Sequence, residues 1–138
     1  MLRMMIAPGR YVQGAGAVRE LGKYLALRGG RRALIVADPV GARVVGGDVR
    51  TSLAGAGVEF RIEDFRGECC EREIARMRDA GRAFGMDIVV GLGGGKAIDV
   101  AKAVAHHEGR PLAVAPTIAA TDAPCSALSV IYTPEGVF

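Results

Sequence analysis

Residues 86–105 read MDIVVGLGGGKAIDVAKAVA. The run from Ile88 to Val90 is continuously apolar, as expected of a strand covered on both faces. After Lys96 the pattern changes: Ile98, Ala101, Val104 and Ala105 form a stripe at helical spacing, which predicts a helix over 97–105. Between the two lie Gly93, Gly94 and Gly95. A buried strand that runs through glycines straight into a helix is half of a parallel crossover unit, and this implies an α/β chain.

The rest of the chain repeats that alternation. RRALIVADP (31–39) is a second buried run ending at Asp38 before a proline, which disfavours helix at the preceding residue. GVEFRIEDF (57–65) alternates, and RPLAVAPT (110–117) supplies a fourth strand ending at Pro116. Val18, Leu21 and Leu25 mark one helical stripe, and Ile74, Met77 and residues 81–84 another. The stretch 40–56 carries four glycines, each costing about 1 kcal/mol in a helix relative to alanine, so its helix is placed only at 44–53. The expected fold is a doubly wound, mostly parallel sheet of Rossmann-like type, one domain over residues 1–138.

Composition narrows the classes of function. Eighteen Lys and Arg are interspersed with fifteen Asp and Glu, giving a net charge of +3 without a basic block, and aromatics make up 5%. That is an ordinary solvated surface and not a nucleic-acid footprint. No stretch approaches the roughly 20 apolar residues of a membrane helix. The first 14 residues carry too short an apolar run for a signal peptide. Cys69, Cys70 and Cys125 have no ligand-like spacing, which suits a reducing compartment, and Cys125 is read as a small packing residue. The default is a cytoplasmic protein.

Ligands of open parallel sheets bind beyond the carboxyl ends of the strands, where residues 91–96 are expected. Glycines allow close backbone approach, and free N–H groups at a helix start favour a phosphate. Lys96 adds charge there. Neither common phosphate signature fits. The P-loop pattern requires glycine and a hydroxyl where Val90 and Ala97 stand, and the Gly-x-Gly-x-x-Gly pattern meets Lys96 in its last place. Phosphate binding and a merely tight strand-to-helix turn both remain readings of this loop. Asp38 has two as well: a ribose diol acceptor that repels a 2′-phosphate, hence NAD over NADP, or a turn aspartate before proline.

APTIAATDAPCSALSVIYTPEG (115–136), together with GLGGGKAIDVAKAVA (91–105) and YVQGAGAVRELGKYL (11–25), resembles the NAD-dependent glycerol dehydrogenases of the iron-type (group III) alcohol dehydrogenase superfamily, whose fold is shared with dehydroquinate synthase. The resemblance implies oxidation of glycerol, or another polyol, to dihydroxyacetone with hydride transfer to NAD. It implies that Gly94, Gly95 and Lys96 cradle the pyrophosphate with Asp99 nearby, and that Asp38 lies on the adenosine side. Thr117, Ile118 and Ala120, then Ser126, Leu128 and Tyr132, match positions lining the nicotinamide half. Ala120 stands where related sequences often carry serine. Asp122 matches the aspartate that meets substrate hydroxyls, the catalytic candidate of this chain. An aspartate in a first helical turn, as Asp99 is read here, is favourable without any ligand.

The family's zinc is held by an aspartate and two histidines of a helical second domain, so none of its ligands is expected in this chain. His106 and His107 are adjacent on a helix end and match no ligand. SALSVIYTPEGVF (126–138) reads as a strand, a Pro-Glu-Gly turn and a return strand, so the chain is expected to be a truncated cofactor half, catalytically incompetent alone and prone to homo-oligomerise through its exposed domain face. The alternatives are a non-catalytic nucleotide-binding or interaction module and a relative of dehydroquinate synthase.

Overall fold

The computed structural model describes residues 8–133, 136 and 137. Pro134 and Glu135 of the anticipated turn, and residues 1–7 of the opening, lie outside the described residues. A short 3-10 helix (Ala17–Glu20) leads into α1 (Leu21–Leu27), followed by β1 (Arg32–Ala37), α2 (Pro39–Gly55), β2 (Glu59–Asp64), α3 (Glu71–Phe84), β3 (Ile88–Gly93), α4 (Gly95–His107) and β4 (Leu112–Pro116). The four strands are parallel, in the order β2-β1-β3-β4.

Alternate side chains of the central strands leave the sheet on opposite faces. Leu34, Val36 and Val89 enter one core with Ile74, Met77, Val100 and Val104 of α3 and α4. Ala33, Ile35, Val90 and Leu92 enter the other with Leu25, Val49 and Leu53 of α1 and α2. The sheet is therefore covered on both faces, which explains why β1 and β3 read as unbroken apolar runs. β2 is an edge, half-exposed and alternating in burial.

Several expectations need correction. α2 starts at Pro39, five residues before the predicted start, because the Asp38 carboxylate accepts hydrogen bonds from Val40 N (2.8 Å) and Gly41 N (3.1 Å) and proline is suited to a first helical position. β3 extends through Gly93, so residues 91–93 lie within the strand and not beyond it. At Gly91 a Cβ would stand 3.0 Å from Ala101 Cβ, so this glycine serves the close packing of α4 on β3. α4 begins at Gly95, which puts Asp99 past the first turn. Residues 127–131 form no strand, since their main chain bonds elsewhere; only Tyr132 makes an isolated parallel bridge, to Cys70. Cys125 is exposed and not part of the core, because it sits on a surface turn closed by its own N–H on Asp122 O (2.8 Å).

Candidate cofactor cleft

The strand order reverses its direction of growth at β1, with β2 on one side and β3 on the other. The helices after β1 and β3 lie on opposite faces, so a crevice opens between the carboxyl ends of these two strands. A cleft of about 500 Å³ occupies that position, lined by Asp38, Pro39, Phe65, Gly67 and residues 94–97. A larger groove, about 690 Å³, lies between α1 and the second half of α2. α2 runs back antiparallel to the strands, which carries this groove toward the opposite end of the sheet. Its charges are already matched, Arg19 with Asp48 at 3.1 Å and Lys23 with Glu20 at 3.2 Å. The smaller cleft is the one with chemistry to offer.

Asp38 and Gly93 form its floor. Asp38 N donates to Leu92 O (2.8 Å), and Gly93 has φ +136°, with its would-be Cβ only 2.3 Å from Asp38 Cβ. Glycine is required here by conformation and by contact. Both capping bonds of Asp38 fall on Oδ1, so its reading as a turn aspartate before proline is realised as a helix cap, while Oδ2 carries no hydrogen bond among the described residues.

Gly94 is the N-cap of α4, and no side chain caps the helix. Its backbone, φ −87° and ψ 178°, suits any residue, and an added Cβ would find only Ile118 Cγ2 at 3.9 Å. Nothing in the protein requires glycine at 94. A side chain there would instead fill the space in front of the first α4 N–H groups, which lack intrahelical partners. The residues thus fit a bound anion such as a pyrophosphate. Gly95 is different: a Cβ would strike Thr121 Oγ1 at 2.9 Å, so the overlying segment accounts for that glycine.

Lys96 turns to Glu68, Nζ to Oε2 at 2.7 Å, and lies 5.2 Å from the Tyr132 ring centroid. The hydrogen bond to Lys96 holds the Glu68 carboxyl below its usual range, and the same bond raises Lys96. Glu68 escaped the sequence reading because nothing in its local pattern signals a partner 28 residues away. Phe65 and Gly67 went unmarked for the same reason.

From Thr117 onward the chain wraps α4. Thr117 N donates to Gly93 O (3.1 Å), Ile118 lies over Gly94, and Thr121 lies over Gly95. Ser126 Oγ accepts from Leu128 N (3.1 Å). Ala120, Asp122 and Leu128 are exposed, and among the described residues the Asp122 carboxylate carries no hydrogen bond. Tyr132 N donates to Cys69 O (2.7 Å). Of the candidate residues, Asp38, Gly94, Gly95 and Lys96 line the cleft, Ile118 lies over Gly94, and Asp99 faces the wrapping segment. Burial pushes the Cys69 thiol up to about 12, which makes it inert as a nucleophile. Among the described residues no three His, Cys, Asp or Glu side chains converge to hold a metal ion.

A four-stranded parallel sheet with helices on both faces and a crevice at its switch point defines a doubly wound, Rossmann-like α/β domain. The iron-containing alcohol dehydrogenase family model matches residues 8–137, and the chain belongs to that family. It is 46% identical over 138 residues to a glycerol dehydrogenase of Escherichia coli, all of this chain and 37% of that protein. It is 43% identical to a glycolaldehyde reductase of Halobacterium salinarum, again all of this chain and 38% of that protein. The crystal structure of a probable glycerol dehydrogenase from Sinorhizobium meliloti superposes with a TM-score of 0.89 at 43% identity, over 99% of this chain and 37% of that one. The chain thus spans well under half the length of the relatives it matches.

Proposed function

We propose that the chain is the dinucleotide-holding part of an NAD-dependent oxidoreductase acting on glycerol or a closely similar small polyol, with dihydroxyacetone as the product from glycerol. The observation that carries this reading is Gly94, a glycine that neither backbone conformation nor protein packing explains, set before the bare N-terminus of α4. In this reading the N–H groups of Gly95 and Lys96 take the pyrophosphate, and Asp38 Oδ2 accepts from the adenosine ribose diol. Thr117, Ile118, Ala120, Ser126, Leu128 and Tyr132 flank the nicotinamide. Bound NAD supplies the acceptor for a hydride from the carbinol carbon. Asp122, exposed beside this segment, accepts hydrogen bonds from polyol hydroxyls and so orients the carbon to be oxidised. In this reading the chain's own contribution is to bind and orient cofactor and polyol.

Calorimetric titration of the folded chain tests the reading. NAD binds saturably and NADP at least about tenfold more weakly, because the Asp38 charge meets the 2′-phosphate. Gly94→Ala loses NAD affinity without loss of thermal stability. Absence of NAD binding by a folded chain would overturn the proposal. Glycerol and ethylene glycol, offered to the NAD complex with zinc, are expected to give no turnover; measurable NADH would show that this chain alone completes the site.

A further inference from the structure

Asp99 and Lys102 are buried charges, each 8% exposed, on the side of α4 turned from the cleft, and neither lines it. Burying two charges is costly unless their bonds compensate. Oδ1 of Asp99 stands 2.7 Å from Lys102 Nζ, an electrostatic pairing without an aligned hydrogen bond. The remaining capacity of both residues goes to one place. Lys102 Nζ donates to Leu128 O and to Ser126 O (3.3 Å), Asp99 Oδ2 accepts from Val130 N (3.2 Å), and the Asp99 carbonyl accepts from Ser129 Oγ (2.9 Å). Residues 126–130 have no regular secondary structure, so these bonds supply what a strand ladder would otherwise provide.

We infer that Asp99 and Lys102 are positioning residues which together fix the main chain of residues 126–130, and through it set Ser126 and Leu128 against the nicotinamide half of the cofactor. This rests on the dinucleotide reading above and gives Asp99 a task other than cofactor contact. The pair is local in sequence, one helical turn apart, while the segment it holds lies more than twenty residues on. Removing either partner frees that segment without touching the pyrophosphate end of the cleft.

The test compares NAD with ADP-ribose, which lacks only the nicotinamide. In Lys102→Met, NAD affinity falls about tenfold while ADP-ribose affinity stays within about twofold of the parent chain. Hydrogen exchange gives a readout independent of cofactor: the Val130 amide loses protection while the amides of Leu34 to Val36 keep theirs. Where the unpaired Asp99 prevents folding, the double variant Asp99→Asn/Lys102→Met carries no lone charge and shows the same split. Equal loss of both ligands, or unchanged NAD affinity together with unchanged Val130 protection, overturns the inference. Failure of the parent chain to bind either ligand sinks the dinucleotide reading instead, and exchange at Val130 still decides whether the pair holds the segment.

Discussion

At Gly93 two demands coincide. Its φ of +136° lies where side chains are strained, and a Cβ would sit 2.3 Å from that of Asp38. Gly93→Ala is expected to cost about 2 to 4 kcal/mol in chemical denaturation and to weaken NAD binding by displacing Asp38. Asp38 itself separates into two roles by substitution. Serine keeps an oxygen to cap α2, so Asp38→Ser should change stability by less than about 1 kcal/mol while removing the charge that, on the proposed reading, excludes a 2′-phosphate. Titration with both cofactors should then show the preference for NAD reduced. Asp38 was visible in the sequence because strand end, carboxylate and proline stand together. Glu68 and Lys102 were not, because their partners are set by tertiary folding and leave no local trace.

Elements were legible to the extent that one kind of contact shaped them. β1 and β3 are buried on both faces, and their unbroken apolar runs say so. α2 was read too short because Gly41 and Gly46 depress helix propensity, although both are buried in it, and the Asp38-Pro39 start was the stronger signal. Residues 126–131 alternate like a strand yet form none, because their polar groups bond to Asp99 and Lys102 of α4 instead of pairing in a ladder. α3 is tied to β2 by Arg76, which bonds Glu73 (2.7 Å), Glu63 (3.1 Å) and the Asp64 carbonyl (2.7 Å). Burial alone would raise the Glu73 carboxyl, but Arg76 and the Arg66 N–H outweigh it and leave it below its ordinary 4.5. A lowered carboxylate contributes stability that is present above its unfolded value and lost as pH falls through the folded one. Denaturation between pH 7 and pH 3 should therefore show an acid limb that Glu73→Gln flattens, with about 1 to 3 kcal/mol lost at neutral pH.

Across the whole molecule the two sheet edges differ. β2 presents Glu59, Arg61 and Glu63, charges that discourage strand addition. β4 reads Leu-Ala-Val-Ala-Pro, uncharged and partly exposed, with Ile118 59% and Leu128 76% exposed on the segment beyond it. An uncharged edge beside exposed apolar side chains favours self-association. Sedimentation velocity should show a concentration-dependent larger species, and Leu112→Lys should return the chain to monomer; a parent chain that stays monomeric throughout would refute this.

The pairing of β1 with β3 couples the cleft beside Asp38 to the folding reaction. Ala33 lies beside Ile88 and Ala37 beside Leu92, although β2 intervenes in sequence and ends on the outside. The loop between them must close before those contacts repay its entropy, so this pairing is among the slow, late events expected of non-local sheets. Asp38 meets Leu92 and Gly93 only once it has formed. On the proposed reading, no partly folded chain that lacks this pairing offers a dinucleotide its complete seat. A ligand that selects the finished state in this way raises the melting temperature with its own concentration, and the supply of cofactor would thereby set how much of the chain persists folded.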